Sequence, residues 1–187
     1  MPRFNKLLVI DIDETLIFSS YNILGRIPDF TFKNYCIYTR PGVDYFLDVC
    51  LEWFEVGIWT TASEDYAMAV TDVLFKDKNK PSFIWSRQHC IKMYNRNTHQ
   101  NHYVIDINKL KKRGFNIKNI IIIDDSRKKT MHLINNTLIV RKYLGEEDDN
   151  ELYVLLNFLE QIGDCNDIRT VKKDNWRNVN RPDLNIK

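Results

Sequence analysis

Three short stretches of this chain carry side chains that can act together: Asp11 and Asp13, Thr60 and Thr61, and Asp124 and Asp125. In a strand, residues two apart share a side, so Asp11 and Asp13 can address the same small volume. Like charges held close force their ionisations apart, and one member is then easily kept protonated. That division suits a nucleophilic carboxylate beside a general acid. Three or four carboxylates gathered at one place require a cation, and hard oxygen ligands with partial water coordination favour Mg²⁺. Any single aspartate here reads as a loop acid or a helix cap. The set of them does not.

Each pair ends an apolar run of strand length, at 7–12, 56–60 and 120–123. Ligands of open parallel sheets bind beyond the carboxyl ends of the strands, so such a sheet would bring the pairs to one edge. The runs alternate with segments of helical period, which predicts an α/β fold: a Rossmann-like parallel sheet flanked by helices. The four consecutive isoleucines at 120–123 suit the middle of that sheet, where both faces are buried. Further strands are expected at 35–39 and 137–140. After Arg40-Pro41-Gly42, the residues Val43, Phe46, Leu47, Cys50 and Leu51 fall at helical spacing. Ser63 reads as the N-cap of a second helix carrying Tyr66, Ala69, Val70, Val73 and Leu74. A third runs through Leu152, Leu155, Leu156, Leu159 and Ile162 to Gly163, with the acids Glu146 to Asp149 and Glu151 favouring its start. One domain is expected over 1–187, with a core of about 6–165. A basic extension over 166–187 has Trp176 as its anchor and a loose end.

The 187 residues carry 27 Lys and Arg against 25 Asp and Glu, a net charge of +2. That balance argues against a protein that coats nucleic acid or an acidic membrane. Cys36, Cys50, Cys90 and Cys165 form no C-x-x-C pair, as expected of a reduced intracellular protein. There is neither a leader pattern nor an apolar run of the ~20 residues that cross a bilayer. A soluble protein of nucleus or cytoplasm, monomeric and without a membrane partner, is the expectation. Phosphate-binding and dinucleotide glycine fingerprints are missing. His99 and His102 lack further ligands at zinc spacing and read better as part of a polar hairpin. Lys109, Lys111, Lys112 and Arg113 read as a solvated helix face.

Asp11-Ile12-Asp13-Glu14-Thr15-Leu16 resembles the first motif of haloacid dehalogenase-superfamily phosphatases. The form is that of the RNA polymerase II C-terminal-domain phosphatase branch, the Fcp, small-phosphatase and NLI-interacting-factor-like group. The resemblance continues through Arg40-Pro41-Gly42-Val43, Trp59-Thr60-Thr61-Ala62-Ser63 and Ser86-Arg87-Gln88-His89-Cys90. It resumes at Tyr103-Val104-Ile105-Asp106-Ile107 and Ile122-Ile123-Asp124-Asp125-Ser126. It implies that Asp11 attacks phosphorus, forming an aspartyl-phosphate, and that Asp13 protonates the leaving oxygen and later activates water. Asp11, the backbone carbonyl of Asp13 and Asp125 would hold Mg²⁺, with Asp124 in support. Thr61, or its neighbour Thr60, would hydrogen-bond the transferring phosphoryl group. Thr15, Ala62 and Arg87 join these as substrate-binding candidates.

One position departs from the family. Its third motif has a lysine where this chain has Ile105, which removes a fixed cation beside a dianion. Lys109, four residues on, is the preferred replacement; Lys92 and the run Arg127-Lys128-Lys129 are other donors. Loop lengths leave room for a hairpin flap between Leu16 and Tyr35, around Ile27-Pro28-Asp29, and for no large cap domain. A shallow, uncovered site accepts a phosphorylated residue on a protein, whereas enzymes of small metabolites usually close over their ligand. The expectation is a Mg²⁺-dependent phosphatase of phosphoserine or phosphothreonine in a protein, such as a C-terminal-domain-like peptide. The alternatives are an inactive protein-binding module of the same fold, which Ile105 favours, and a nucleic-acid end phosphatase, which the basic clusters suggest.

Overall fold

The computed structural model describes residues 1–96 and 99–178. In chain order the elements are β1 (Leu7–Ile10), β2 (Ile17–Ser20), β3 (Phe30–Phe32), β4 (Tyr35–Thr39) and α1 (Val43–Trp53). There follow β5 (Glu55–Trp59), α2 (Glu64–Leu74), β6 (Phe83–Trp85), β7 (Ile91–Asn95), β8 (Gln100–Val104) and α3 (Ile107–Lys112). The last are β9 (Ile120–Asp124), β10 (Thr137–Ile139) and α4 (Glu151–Ile162). Five strands form a parallel sheet in the order β10-β9-β1-β5-β6. The middle strand is β1, with the isoleucine strand β9 beside it. Alternate β1 residues feed two cores: Leu8 and Ile10 pack with α1, α2 and α4, while Leu7 and Val9 pack with Trp59, Ile105 and Leu110. Continuous apolarity in β1 and β9 follows from this, since neither face of either strand meets water.

Register brings the chemistry level. Ile10 pairs with Ile58 on one side and Ile123 on the other, so Asp11, Trp59 and Asp124 come next on three adjacent strands. The Asp11 N–H donates to the Ile123 carbonyl at 3.0 Å, holding the first acid against the strand that ends in the others.

Several expectations shift in detail. The strand at 35–39 lies outside the parallel sheet: β4 is the middle of an antiparallel sheet β2-β4-β3 that forms the flap. The flap is therefore a three-stranded sheet and not a bare hairpin. β6 is too short, at three residues, to leave a periodic signal. β7 and β8 form an antiparallel hairpin that pairs Met93 with His102. On α2 the buried face takes Ala67 and Thr71 beside Tyr66, Val70 and Leu74, and Val73 is exposed. Ser63 is the N-cap residue by backbone, but its hydroxyl turns to Asp65. Trp176 is buried against Phe158 and donates from its indole N–H to the Ile139 carbonyl. The expected loose end at 179–187 falls outside the described residues. Among those described, no helix is long and apolar enough to cross a membrane.

The acidic run before α4 does more than favour a helix start. Asp149 takes both Nε and Nη2 of the fully buried Arg40 at 2.8 Å and also accepts the Glu151 N–H. Arg40 donates its remaining guanidinium nitrogen to the Thr15 carbonyl at 3.0 Å, tying the loop after β1 to the end of the flap. Glu151 is itself fully buried between Arg141 and Arg177.

Of the glycines, the one most closely approached by a neighbour lies where β5 meets β6. A Cβ on Gly57 would lie 2.2 Å from the Phe83 ring. Gly57→Ala should therefore cost about 1–3 kcal/mol by overpacking, seen as a lower urea midpoint with an unchanged m-value. An unchanged midpoint would show that Phe83 has somewhere to go.

Candidate active site

Beyond the carboxyl ends of β1 and β9, Asp11, Asp124 and Asp125 offer carboxylate oxygens that all lie within 4.8 Å of one another. Asp11 and Asp124 are almost completely buried. The turn after β9 closes on itself: the Ser126 N–H donates to Asp124 Oδ1 at 2.8 Å, and the Lys129 N–H to the Ser126 carbonyl. That turn brings the Lys129 amine back onto the cluster, 2.5 Å from Asp11 Oδ2 and 3.1 Å from Asp125 Oδ1. Asp124 Oδ1 is 3.4 Å away. Burial pushes the carboxyls of Asp11 and Asp124 up, and Lys129 pulls them part of the way back. Burial alone would lower the Lys129 amine, but Asp11, Asp124 and Asp125 outweigh it and hold the amine protonated.

One ammonium against three carboxylates leaves two negative charges uncompensated when all are ionised. Asp11 Oδ1 and Asp124 Oδ2 are also buried without hydrogen-bond partners among the described residues, and such orphaned oxygens cost free energy unless something meets them. The donor set therefore fits a hard divalent cation. Asp13 contributes no side-chain oxygen to this cluster. Its carboxylate turns instead to Tyr66 on α2, whose hydroxyl donates to Asp13 Oδ1 at 2.7 Å. Burial, opposed by the Tyr66 hydrogen bond and supported by the Asp11 charge, pushes Asp13 up to about 6. The two acids of the D-x-D pair thus have different surroundings, one ion-paired and one held by a phenol. Directly after Asp13, Glu14 has a left-handed backbone at φ 61°, a strained conformation for a non-glycine residue. The Glu14 carbonyl accepts the Tyr143 N–H and its side chain meets Lys142.

A cavity of about 400 Å³ opens over Asp13, walled by the flap residues Phe32 and Tyr35, by Thr61 and Tyr66, and by Arg87. The two threonines separate. Thr60 is buried and accepts the Ala62 N–H on its hydroxyl, so it shapes the loop, whereas Thr61 and Ala62 face the cavity. Arg87 is fixed by donating from Nε to the Thr61 carbonyl at 2.7 Å. Thr15 is fully buried and lies off the cavity wall, so its hydroxyl is not placed to meet a ligand there.

The preferred lysine is the clearest difference. Lys109 sits on α3 and, among the described residues, forms no ion pair with the acidic cluster; Lys129 does. Ile105 is buried in the second core, and its N–H donates to the Lys129 carbonyl at 3.1 Å. The sequence assigns one contributor no part in the site and offers the other only as one of a basic run behind Lys109. Tyr66 reads there as one more apolar residue of a helix stripe. Lys129 stands four residues after Asp125, a spacing that hints at the contact, yet only the turn at 126–129 brings it about.

The sequence and the fold have counterparts among known proteins. The model of the NLI interacting factor-like phosphatases matches residues 6–169. The chain belongs to this family. Its relatives include the CTD nuclear envelope phosphatase 1 homolog of Drosophila melanogaster, 31% identical over 91% of this chain and 72% of that protein. A probable C-terminal domain small phosphatase of Dictyostelium discoideum is 30% identical over 92% of this chain and 56% of that one. Among solved structures, Fcp1, an essential RNA polymerase II CTD phosphatase, superposes with a TM-score of 0.66 at 16% identity. That match covers 85% of this chain and 62% of Fcp1, and it shows that the two share a fold, the α/β architecture expected above.

Proposed function

We propose that this chain is a Mg²⁺-dependent phosphatase that works through an aspartyl-phosphate on Asp11 and acts on phosphoserine or phosphothreonine in proteins. One observation supports this above others: a buried carboxylate cluster with orphaned oxygens lies beside a second carboxyl, Asp13, held separately at about 6 under an open cavity. In the first step an Asp11 oxygen bonds to phosphorus as the bond to the serine or threonine oxygen breaks. Asp13 gives its proton to that leaving oxygen. In the second step Asp13 takes a proton from the water that attacks phosphorus, and the Asp11 carboxylate is released. Thr61 and Arg87 hold phosphoryl oxygens at the cavity wall. Bound at Asp11, Asp124 and Asp125, Mg²⁺ would supply positive charge to the phosphate.

A protein substrate is supported by the open flap-walled cavity, and by relatives named as C-terminal-domain phosphatases. The reading as an inactive binding module rested on the loss of a lysine at 105. An ammonium on Asp11 weakens that reading. Hydrolysis of para-nitrophenyl phosphate and of a panel of serine, threonine and tyrosine phosphopeptides provides the test. Turnover should require Mg²⁺, vanish with a chelator, and favour phosphoserine or phosphothreonine peptides. Inactivity under all conditions, or turnover indifferent to the chelator, would remove the proposal.

A further inference from the structure

The family's third motif puts a lysine at the position of Ile105, yet the cluster around Asp11 already holds an ammonium. It comes from Lys129, on the turn after β9. The two positions are neighbours across one backbone hydrogen bond, from the Ile105 N–H to the Lys129 carbonyl. Ile105 is 5% exposed and packs in the second core. Lys129 sends its side chain to the carboxylates, with its amine on Asp11 and Asp125. From these observations we infer that Lys129 is the catalytic lysine of this chain. The cation has moved from the segment after β8 to the turn after β9, and its ammonium meets both the nucleophile Asp11 and the transferring phosphoryl group. Resting on the phosphatase reading above, this inference adds the residue that makes it workable.

The geometry favours relocation over simple loss. With Ile105 and no Lys129, three carboxylates would share a buried volume with no fixed cation among the described residues. An ammonium there orients Asp11 for attack and faces the charge that develops on phosphate oxygens. An ion pair serving only to relieve repulsion would stabilise the fold without affecting turnover in a way that a lysine elsewhere could restore.

Second-site rescue separates the two roles. Lys129→Met keeps the aliphatic stem, and kcat/KM for an aryl phosphate should fall roughly a hundred-fold. Affinity for inorganic phosphate with Mg²⁺ present, measured by calorimetry, should weaken as well. Adding Ile105→Lys to Lys129→Met should return at least about a tenth of both. Circular dichroism establishes folding, and Lys129→Gln serves if Lys129→Met does not fold. Unimpaired turnover and phosphate affinity in the folded Lys129 variant would overturn the inference. So would a folded double variant with no recovery. A wild-type chain that binds phosphate without turnover would defeat the phosphatase reading and the catalytic role together, while the affinity series would still show whether Lys129 meets the phosphate. A wild-type chain that neither binds nor hydrolyses would overturn both.

Discussion

Asp11→Asn should abolish phosphate-ester hydrolysis while leaving the fold intact. The expected loss is about a thousand-fold or more, the scale on which hydrolases suffer when the nucleophile is removed. An amide matches the carboxylate in shape but has no anionic oxygen to attack phosphorus. The fold should tolerate the change because Asp11 is one of three crowded carboxylates, and removing one negative charge relieves repulsion that a single lysine does not cancel. Its N–H bond to the Ile123 carbonyl belongs to the backbone and survives. Steady-state assays with para-nitrophenyl phosphate, beside thermal melts, check both halves. Turnover within a few-fold of wild type would show that another residue attacks phosphorus.

Asp149→Ala should produce the largest loss of stability. Arg40 has no exposed surface and Asp149 only a little, and they meet through two bonds of 2.8 Å. Removing one member leaves the other charge buried without compensation, which costs about 3–5 kcal/mol. For a chain of this length that corresponds to a drop in Tm of roughly 6–20 °C. The same change frees the Glu151 N–H at the start of α4 and loosens the Arg40 grip on the Thr15 carbonyl. Activity should therefore fall well below the melting temperature too, since Thr15 lies two residues beyond Asp13. Replacing both members, as Arg40→Met with Asp149→Leu, should recover much of the stability because no lone charge remains. A melt unchanged in Asp149→Ala would mean that water reaches Arg40.

The NLI interacting factor-like sequence is legible wherever a strand is buried on both sides. The runs ending at Asp11, Thr60 and Asp124 announce three neighbouring parallel strands, and their register delivers the acids to one edge. Short or amphipathic pieces are less legible. β6 has three residues, and β2 to β4 form a separate sheet whose alternation resembles any half-buried strand. The helix faces shift by a residue, as Val73 on α2 shows, because apolar spacing does not say which neighbour covers a stripe.

By itself, then, the sequence determined the α/β class and the identity of the acidic residues at the strand ends. Those follow from continuous apolarity and from the period of a strand. Only the tertiary structure decided how the charges are matched. Lys129 rather than Lys109 reaches Asp11, Tyr66 holds Asp13, and Asp149 answers a buried arginine a hundred residues away in sequence. The physical reason is that a charge's partner is set by where a turn or helix lies in space. A relocated lysine leaves no periodic trace, whereas an apolar run repeats its message at every residue.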